Sequence, residues 1–388
     1  MVLRNVMLIG NAGPVDVQID GAAIRNVSTQ PITANPEQQL IQFDNALVFP
    51  GLINSHDHLD FNLFPQLGDK TYNSYTEWGN YIHQNYKAGI NKVLKIPLEL
   101  REQWGIYKNL LCGVTTVINH GEKVSLQQPL IKVHEQYYCL HSVGFEKSWR
   151  PKLNNPLKNN LPYVIHVGEG KNKEAHHEID RLIRWNLLKK PLIGVHGVAM
   201  SRRQASKFKA VVWCPQSNYF LLNKTAPVNE LKKNTTLLFG TDSTLTAHWD
   251  IWEHIRLARK TKLLPDIDLY HTLNKNAAAI WKTGCAKIEV GKKADIVIVK
   301  PKTGDTVESF FATEPEDILL VIQKGEIKLF DETLLEQLTN IDLNNFNKVY
   351  INNSCKYVVG NLPELITAIK TYYPEAHFPV TAQKHAVC

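Results

Sequence analysis

Residues 49–58 read Phe-Pro-Gly-Leu-Ile-Asn-Ser-His-Asp-His, and this stretch decides how the rest of the sequence is interpreted. The apolar run that reaches Ile53 is typical of a buried strand, and it leads into His56 and His58. Side chains two positions apart on a strand point to the same face, so both imidazoles can reach one ion at about 2.0–2.1 Å. A His-x-His pair alone is common, and only its context makes a metal site.

Three later residues repeat this arrangement, because His166, His196 and Asp242 each stand at or just after the end of an apolar run. In a parallel barrel the active site lies at the carboxyl ends of the strands, where residues distant in sequence converge. Any one of them alone would more often be a core histidine or a helix-capping aspartate. Their recurrence in one register, together with the His-x-His pair, predicts a shared site.

The middle of the chain, residues 51–285, alternates short apolar runs with helical stretches, which indicates parallel βα units. The predicted fold class is therefore α/β, with a TIM-like (β/α)8 barrel as the metal-binding domain. Only seven strands are predicted, and residues 148–160 offer none, so a closed barrel requires an obscured strand or a degenerate fourth unit. The seven predicted strands are 53–56, 115–120, 138–144, 163–167, 192–196, 210–214 and 236–240.

Residues 1–50 and 286–330 contain short strands separated by turns, and we expect them to form one small β-sandwich domain built from both ends of the chain. The predicted strands are 2–9, 15–19, 23–27, 47–49, 294–299 and 318–322. Residues 331–388 form a C-terminal extension of unknown role, with a predicted helix from Leu362 to Tyr373.

Composition narrows the class of protein further. The net charge of +7 comes from scattered lysines and arginines without a block of like charges, which argues against a nucleic-acid partner. No apolar run reaches 18 residues, and the first ten residues lack the layout of a signal peptide, so we expect a cytoplasmic protein without a membrane partner. The six cysteines form no Cys-x-x-Cys pair, and reduced thiols are expected.

The stretch 49–58 resembles the opening barrel strand of the amidohydrolase superfamily, in its cytosine deaminase and chlorohydrolase branch. Six later segments agree with that branch in order, and the resemblance spans about residues 1–330. The segments are Gly113-Val114-Thr115-Thr116-Val117, His166-Val167-Gly168-Glu169, Val195-His196-Gly197, Cys214-Pro215-Gln216-Ser217-Asn218, Gly240-Thr241-Asp242-Ser243 and Gly291-Lys292-Lys293-Ala294-Asp295-Ile296-Val297.

The resemblance implies one divalent metal ion, with zinc as the first expectation and iron or manganese as alternatives. Imidazole and carboxylate ligands accept all three metals. Relatives with two metals usually carry a bridging carboxylated lysine on the fourth strand, and the segment that follows Ser148 offers no obvious candidate, which favours a single ion over a pair. The sequence Glu146-Lys147 leaves open a deacetylase-like arrangement with a glutamate ligand. The ligands that the resemblance implies are His56, His58, His166 and Asp242.

The resemblance also assigns the catalytic roles to Glu169, His196 and Asp242. Water on an active-site metal ionises near neutral pH, which supplies a nucleophile without a strong base. Glu169, three residues beyond His166, could carry a proton from that water to a ring nitrogen or to the leaving group. His196 could polarise the substrate or orient the nucleophile, and Asp242 could bind the metal and also accept a proton.

The expected partner is a small-molecule substrate, and a homo-oligomer is also compatible with the sequence. Trp78, in the aromatic-rich segment 59–95, could stack on a planar ring. His120, at the end of the second predicted strand, and Asn218 are further candidate substrate contacts, although Asn218 could instead fix its own loop. Deamination of a heterocyclic amine is the first hypothesis, ahead of amide or imide hydrolysis with one or two metals, and of a non-catalytic binding barrel.

Overall fold

The structure, a computed structural model, describes residues 1–11 and 13–383 and has mixed α/β character. The strands in chain order are β1 (Val2–Leu8), β2 (Val15–Asp20), β3 (Ala23–Ser28), β4 (Leu40–Pro50), β5 (Leu52–Asp57), β6 (Val114–Asn119), β7 (Lys132–Val133), β8 (Tyr138–Ser142), β9 (Tyr163–Val167), β10 (Leu192–His196), β11 (Ala210–Trp213), β12 (Thr236–Phe239), β13 (Ile296–Val299), β14 (Ile318–Gln323), β15 (Glu326–Asp331), β16 (Phe346–Ile351), β17 (Ser354–Val359) and β18 (Val380–Thr381). The α-helices are α1 (Tyr75–Asn85), α2 (Lys87–Leu94), α3 (Leu98–Leu111), α4 (Trp149–Leu153), α5 (Lys173–Trp185), α6 (Arg202–Ala205), α7 (Pro215–Leu222), α8 (Val228–Leu231), α9 (Ile251–Lys260), α10 (Asp266–Leu273), α11 (Lys275–Trp281), α12 (Thr306–Ala312) and α13 (Leu362–Tyr372). Short 3-10 helices lie at Leu59–Phe61, Pro315–Asp317, Glu332–Gln337 and Leu343–Asn345.

The strands β5 to β12 lie in sequence order and run parallel to their paired neighbours. They form a three-stranded sheet, β5-β6-β7, and a five-stranded sheet, β12-β11-β10-β9-β8. After β12, the backbone N–H groups of Thr241 and Asp242 both donate to the carbonyl oxygen of His56 in β5, at 3.0 Å each. The last of these strands is thereby joined to the first.

The strand that the sequence prediction lacked is β7. Its two residues, Lys132 and Val133, pair with Thr116 and Val117 of β6. The stretch 148–160 forms α4 and no strand, as expected, so the shortest unit is the third and not the fourth. Two residues are too few to produce a recognisable apolar run, which explains why the sequence did not reveal this strand.

The strands β9 to β12 are buried on both faces, which is usual for parallel sheets. In β9, Val164 packs in an inner cluster with Trp281 of α11, while Ile165 and Val167 pack in the outer core. Because His166 is two positions from Val164, it points to the same inner face. This alternation directs the histidine toward the interior at the end of its strand.

Strands from both ends of the chain form a single ten-stranded sheet in the order β18-β16-β17-β15-β14-β13-β4-β1-β2-β3. The junction between the ends is the antiparallel pairing of β13 with β4. In β13, Ile296 and Ile298 pack in a cluster with β1 and β2, while Val297 and Val299 pack in the core shared with the central strands. The predicted sandwich arrangement of these terminal strands stays a prediction.

The C-terminal extension contributes β16, β17 and β18 to that sheet. Its helix α13 lies where the sequence predicted a helix, and it contacts α3. The hydroxyl of Tyr107 in α3 donates to the carbonyl of Val359 at 3.0 Å, and Phe378 packs edge-on against Trp104 at 4.8 Å between ring centroids. The extension therefore supports α3, the helix that leads into β6.

Among the described helices, none has the length and apolar character that crossing a membrane would require. The five described cysteines, 112, 139, 214, 285 and 355, are unpaired, and Cys388 lies outside the described residues.

Candidate active site

The four side chains predicted as metal ligands meet at the carboxyl ends of β5, β9 and β12. The Nε2 atom of His166 lies 3.2 Å from that of His56 and 3.4 Å from that of His58. Asp242 Oδ1 lies 3.8 Å from Nε2 of His56 and 3.7 Å from Nε2 of His58. Two atoms bonded to one ion at about 2.0–2.2 Å can be at most about 4.4 Å apart, so these separations fit a shared ion. The ligand atoms of His56, His196 and Asp242 also lie within 4.8 Å of one another, as do those of His56, His120 and His166. Imidazoles together with a carboxylate suit a divalent metal ion.

Two of these imidazoles are held in the neutral form that a metal ion needs. Burial lowers the pKa of His56 and of His166 well below the usual value, and the neighbouring imidazoles lower it further. His166 Nδ1 donates to the carbonyl oxygen of His141 at 2.8 Å, which leaves the lone pair of Nε2 facing the cluster. Position and protonation state therefore both favour metal binding.

A turn in an unusual backbone conformation places the Asp242 carboxylate. Asp242 has φ of +60°, in the left-handed region that residues other than glycine rarely occupy. Its Oδ2 atom accepts hydrogen bonds from Ser217 Oγ at 2.7 Å and from Thr246 Oγ1 at 3.2 Å. Oδ1 consequently points toward the histidines. Non-glycine residues in such conformations cluster at functional sites, where the surrounding structure maintains them.

The two carboxyl groups of the site have opposite proton affinities. Burial raises the pKa of Glu169 well above its usual range, and the nearby carboxylates Asp242 and Glu178 raise it further. Burial acts to raise the pKa of Asp242, but His196, His58 and the hydrogen bonds from Ser217 and from the backbone of Ser243 together hold it below the usual value. A pair of carboxyl groups with separated pKa values can divide the tasks of ligand and proton carrier.

His196 completes the floor of the site. Its Nε2 atom lies 3.5 Å from Glu169 Oε2 and 3.9 Å from Asp242 Oδ2. Its Nδ1 donates to Asn218 Oδ1 at 2.9 Å, and Asn218 Nδ2 in turn donates to Thr225 Oγ1 at 3.3 Å, which fixes the orientation of the amide. The lone pair of Nε2 is thus directed at Glu169 and Asp242.

Above this floor lies a cavity of about 430 Å³, a size suited to a small molecule. Polar groups on its walls are few, and they include His141, Ser243 and Thr246. Most of the remaining wall is apolar. A compact ring system can therefore approach the cluster with a small number of polar contacts to orient it.

The three predicted substrate contacts lie in different places. Trp78 lines the cavity, and its Nε1 donates to the carbonyl of Leu67 at 2.6 Å. His120 is buried with its ring centroid 4.0 Å from that of His166, and neither of its ring nitrogens has a hydrogen-bond partner among the described residues. Asn218 lies behind His196, whose ring it orients. Of the three, Trp78 alone is part of the cavity wall.

His141 and Phe145 are among the cavity residues that were not singled out from the sequence. The third predicted strand was expected to run to residue 144, whereas β8 ends at Ser142. His141 thus lies at the end of its strand, as His166 and His196 do. The same strand-end criterion, applied with the correct boundary, would have found it.

The aspartate between the two histidines of β5 is enclosed by donors. Asp57 is fully buried, and its Oδ2 accepts from Lys108 Nζ at 3.0 Å, from Asn109 Nδ2 at 2.7 Å and from Asn54 Nδ2 at 3.2 Å. Its Oδ1 accepts from Asn62 Nδ2 at 2.8 Å. Lys108 is itself 2% exposed. This network anchors the backbone between His56 and His58 to α3.

Glu146, the residue that left a deacetylase-like arrangement open, does not line the cavity. Its Oε2 accepts from the backbone N–H of His141 at 2.8 Å, and its Oε1 pairs with Lys152. These contacts fix the loop that follows β8.

Comparison with known proteins gives matches in sequence and in structure. Residues 157–328 match the amidohydrolase family. A 5-methylthioadenosine/S-adenosylhomocysteine deaminase of Pyrococcus furiosus is 24% identical, in an alignment that covers 90% of this chain and 100% of the relative.

Solved structures extend the likeness over nearly the whole chain. The crystal structure of an adenosine deaminase from Xanthomonas campestris with bound zinc gives a TM-score of 0.69 at 16% identity, covering 97% of this chain and 98% of that one. An atrazine chlorohydrolase from Arthrobacter aurescens, complexed with zinc, gives a TM-score of 0.67 at 15% identity, covering 96% and 99%. At such identities the structural likeness shows a shared fold.

Proposed function

We propose that this chain is a metal-dependent hydrolase of the amidohydrolase superfamily and that it deaminates a heterocyclic amine. Water adds to the ring carbon that bears the amino group, the carbon–nitrogen bond breaks, and ammonia leaves. The sequence relative from Pyrococcus furiosus is named as a deaminase, as is the structural neighbour from Xanthomonas campestris, which supports this reaction class.

One zinc ion is the metal that we propose, with His56, His58, His166 and Asp242 as its ligands. When bound, such an ion supplies the Lewis acidity that ionises water near neutral pH. Imidazole nitrogen and carboxylate oxygen are ligands that zinc accepts, and a water molecule would add beside these four residues.

The proton transfers are assigned to the carboxyl groups and the imidazole around that position. Glu169, at the cavity floor, carries a proton from water to the leaving nitrogen. His196 Nε2, which faces both carboxyl groups, orients the attacking water. Asp242 Oδ2 accepts a proton while Oδ1 serves the metal. General acid–base catalysis of this kind contributes about 10²–10⁴-fold to a rate.

The observation that carries the proposal is the position of Glu169 Oε2, 3.5 Å from His196 Nε2, on the floor of a cavity that also exposes the metal-ligand cluster. A structural histidine cluster has no need of a buried carboxyl group beside it. An accessible cavity over both groups gives a substrate the required approach.

The test is metal analysis of the purified protein followed by an ammonia-release screen over aminopurines, aminopyrimidines and aminotriazines. We expect about one ion per chain and release of ammonia from at least one ring class. Glu169→Gln should lower kcat by about 10²-fold or more while metal content is retained. Glu174→Gln, on the exposed first turn of α5, is the matched control. Full turnover by Glu169→Gln would refute the proton-carrier role.

Amide or imide hydrolysis is the second candidate function, because the same cluster would also activate water against a carbonyl carbon. The described contacts of Glu146 give no support to the two-metal form of this candidate. Hydrolysis of cyclic amides without ammonia release from any amine would favour it.

The finer architecture is also a proposal. We infer that the eight parallel strands close into one TIM-like barrel within residues 51–285, supported by the hydrogen bonds from residues 241 and 242 to His56. Residues 1–50 and 286–330 would then form the second domain, a β-sandwich, to which residues 331–388 add further strands.

A further inference from the structure

The cavity above the metal-ligand cluster has ionisable carboxyl groups at its floor, and the basic side chains among its described lining residues are all imidazoles. Glu169 and Asp242 are the only carboxyl groups among its described lining residues, and no lysine or arginine lines it. An anionic group on the part of a substrate that extends along the walls would therefore find no lysine or arginine among the described wall residues, whose basic groups are the imidazoles of His83 and His141.

The walls are formed largely by large apolar side chains. Trp78 and Ile82 lie four residues apart on α1, and Ile90 and Leu94 lie four residues apart on α2, so each helix turns one apolar stripe toward the cavity. Phe145 lies against α1 at Gly79, where an added Cβ would come within 3.1 Å of its ring. The helices α1 and α2 thus form an apolar wall.

This apolar character continues to the mouth of the cavity. Leu94 and Phe145 are 47% and 43% exposed although both are large hydrophobic residues. Exposed apolar groups that adjoin a cavity mark a surface that a ligand covers. Since the wall and the mouth are both apolar, the part of the substrate that extends from the reacting ring must be apolar as well.

We propose, resting on the deaminase function above, that this site selects heterocyclic amines whose remaining substituent is uncharged and apolar, and that it excludes those carrying a carboxylate or a phosphate. Moving an unpaired anion from water into such surroundings is strongly unfavourable. An alkyl or aryl substituent instead gains about 25 cal/mol for each Å² of apolar surface that it buries.

The experiment uses pairs of rings in which each aminopurine, aminopyrimidine and aminotriazine carries either a butyl or a 4-carboxybutyl substituent. Amine-free versions of the same pairs are titrated into the holoenzyme by calorimetry. We expect at least about a tenfold preference for the butyl member in kcat/KM and in affinity, which corresponds to 1.4 kcal/mol. Equal or better binding or turnover of a carboxybutyl member would overturn the proposal, as would failure of every butyl member to bind.

The two readouts separate this proposal from the proposed function. If the amine-free butyl rings bind preferentially but no amine releases ammonia, the deaminase function fails and the selectivity for apolar substituents stands. If ammonia is released chiefly from carboxybutyl amines, the function stands and the selectivity is wrong.

A charge placed at the mouth gives a stricter test. Leu94→Arg supplies the missing cation at an exposed position and should shift the ratio of kcat/KM toward the carboxybutyl member by about tenfold. Leu98→Arg is the matched control, because Leu98 is 42% exposed but does not line the cavity. An unchanged ratio in Leu94→Arg, or an equal shift in Leu98→Arg, would show that the mouth does not contact the substituent.

Discussion

The contacts of Asp57 show how one residue can position two metal ligands without touching the metal. Four side-chain donors surround its carboxylate, and it lies between His56 and His58 in β5. Only Lys108 among these donors carries a full charge, so the stability of the buried aspartate depends chiefly on this lysine. The ion pair is enclosed on both sides, since both residues are at most 2% exposed.

Replacing this lysine should therefore be costly. Lys108→Met leaves the Asp57 carboxylate buried without its counter-charge, and breaking a buried pair in this way typically costs about 3–5 kcal/mol. Denaturant unfolding would measure the loss in the free energy of unfolding. Lys95→Met, at an exposed position with the same change of side chain, should cost less than about 1 kcal/mol. Similar losses in the two variants would show that Asp57 does not depend on the pair.

Strand ends made the metal-ligand residues predictable, because side chains at the carboxyl ends of parallel strands converge whatever their separation in sequence. The proximity of His56, His58, His166, His196 and Asp242 follows from this rule. The Asp57 network does not, since Lys108 reaches it from the last turn of a helix, 51 residues away in sequence. Nothing in the local sequence around Lys108 distinguishes an inward lysine from the exposed lysines of other helices.

At the scale of elements, the packing of α3 against the 3-10 helix Leu59–Phe61 requires a glycine. A Cβ added to Gly105 would lie 2.7 Å from the Cα of Leu59 and would overlap its carbonyl oxygen. This contact brings α3 close enough for Lys108 and Asn109, on the next turn, to reach Asp57. The absence of a side chain at Gly105 therefore determines how closely α3 can pack.

Two glycine-to-alanine substitutions in neighbouring helices should consequently have opposite signs. Gly89→Ala in α2, where nothing lies within 4 Å of the new Cβ, should stabilise the protein by about 0.5–1 kcal/mol. Gly105→Ala in α3 should destabilise it by about 1–3 kcal/mol, because the overlap outweighs the gain in helix propensity. Chemical denaturation of both variants decides this, and stabilisation by Gly105→Ala would contradict the close packing of α3.

The N-terminus of α9 carries a titratable cap. Asp250 accepts from the backbone N–H of Trp252, and burial raises its pKa from 3.8 to about 7, against the opposing effects of that hydrogen bond and of Arg256. Glu253 raises the pKa further, and Cys112 donates weakly to the carboxyl. The folded protein therefore holds a proton that the unfolded chain releases between about pH 4 and pH 7.

The sign of the pH dependence follows from this difference. The contribution of Asp250 to stability is complete below about pH 4 and is lost as the pH rises toward 7, at up to about 1.4 kcal/mol per pH unit. Asp250→Asn keeps an acceptor for the cap but cannot titrate. Between pH 5 and pH 7 the unfolding free energy of the native protein should thus fall by about 2–3 kcal/mol relative to the variant. Parallel pH profiles would exclude a raised pKa.

Strands with a long and regular apolar pattern were predicted with the most accurate bounds. The strands β9 and β10 coincide with their predicted ranges, because both are continuous apolar runs that end in a histidine or its neighbour. The strand β7 was missed because two residues carry no periodicity, and its position is determined by pairing with β6. The end of β8 was placed two residues late, since Val143 and Gly144 continue the apolar run into a loop.

At the scale of the whole molecule, the two ends of the chain share one sheet, and its C-terminal strands adjoin α3. Sequence patterns indicated strands at both ends and a helix in the extension, but they did not show that β16 to β18 join that sheet. Pairing between distant segments depends on which edges remain available after folding, which no local pattern records. The extension thus reaches the active site indirectly, through α3 and the Asp57 network.

The metal cluster also joins separate parts of the molecule, because His56 and His58 lie at the end of β5 in the three-stranded sheet, while His166 and Asp242 lie at the end of the five-stranded one. An ion at this site binds the folded state and not the unfolded chain, so it raises the free energy of unfolding. At a free zinc concentration of 100 times Kd, the gain should be about 2.7 kcal/mol, or about 3 °C in Tm for a chain of this length. Removal of metal with a chelator should lower Tm accordingly, with little change in far-ultraviolet circular dichroism, since hydrogen bonds within the fold already position the ligands. His58→Asn should abolish the zinc-dependent shift, whereas His177→Asn, at an exposed position on α5, should retain it. A zinc-dependent shift that survives in His58→Asn would place the ion elsewhere.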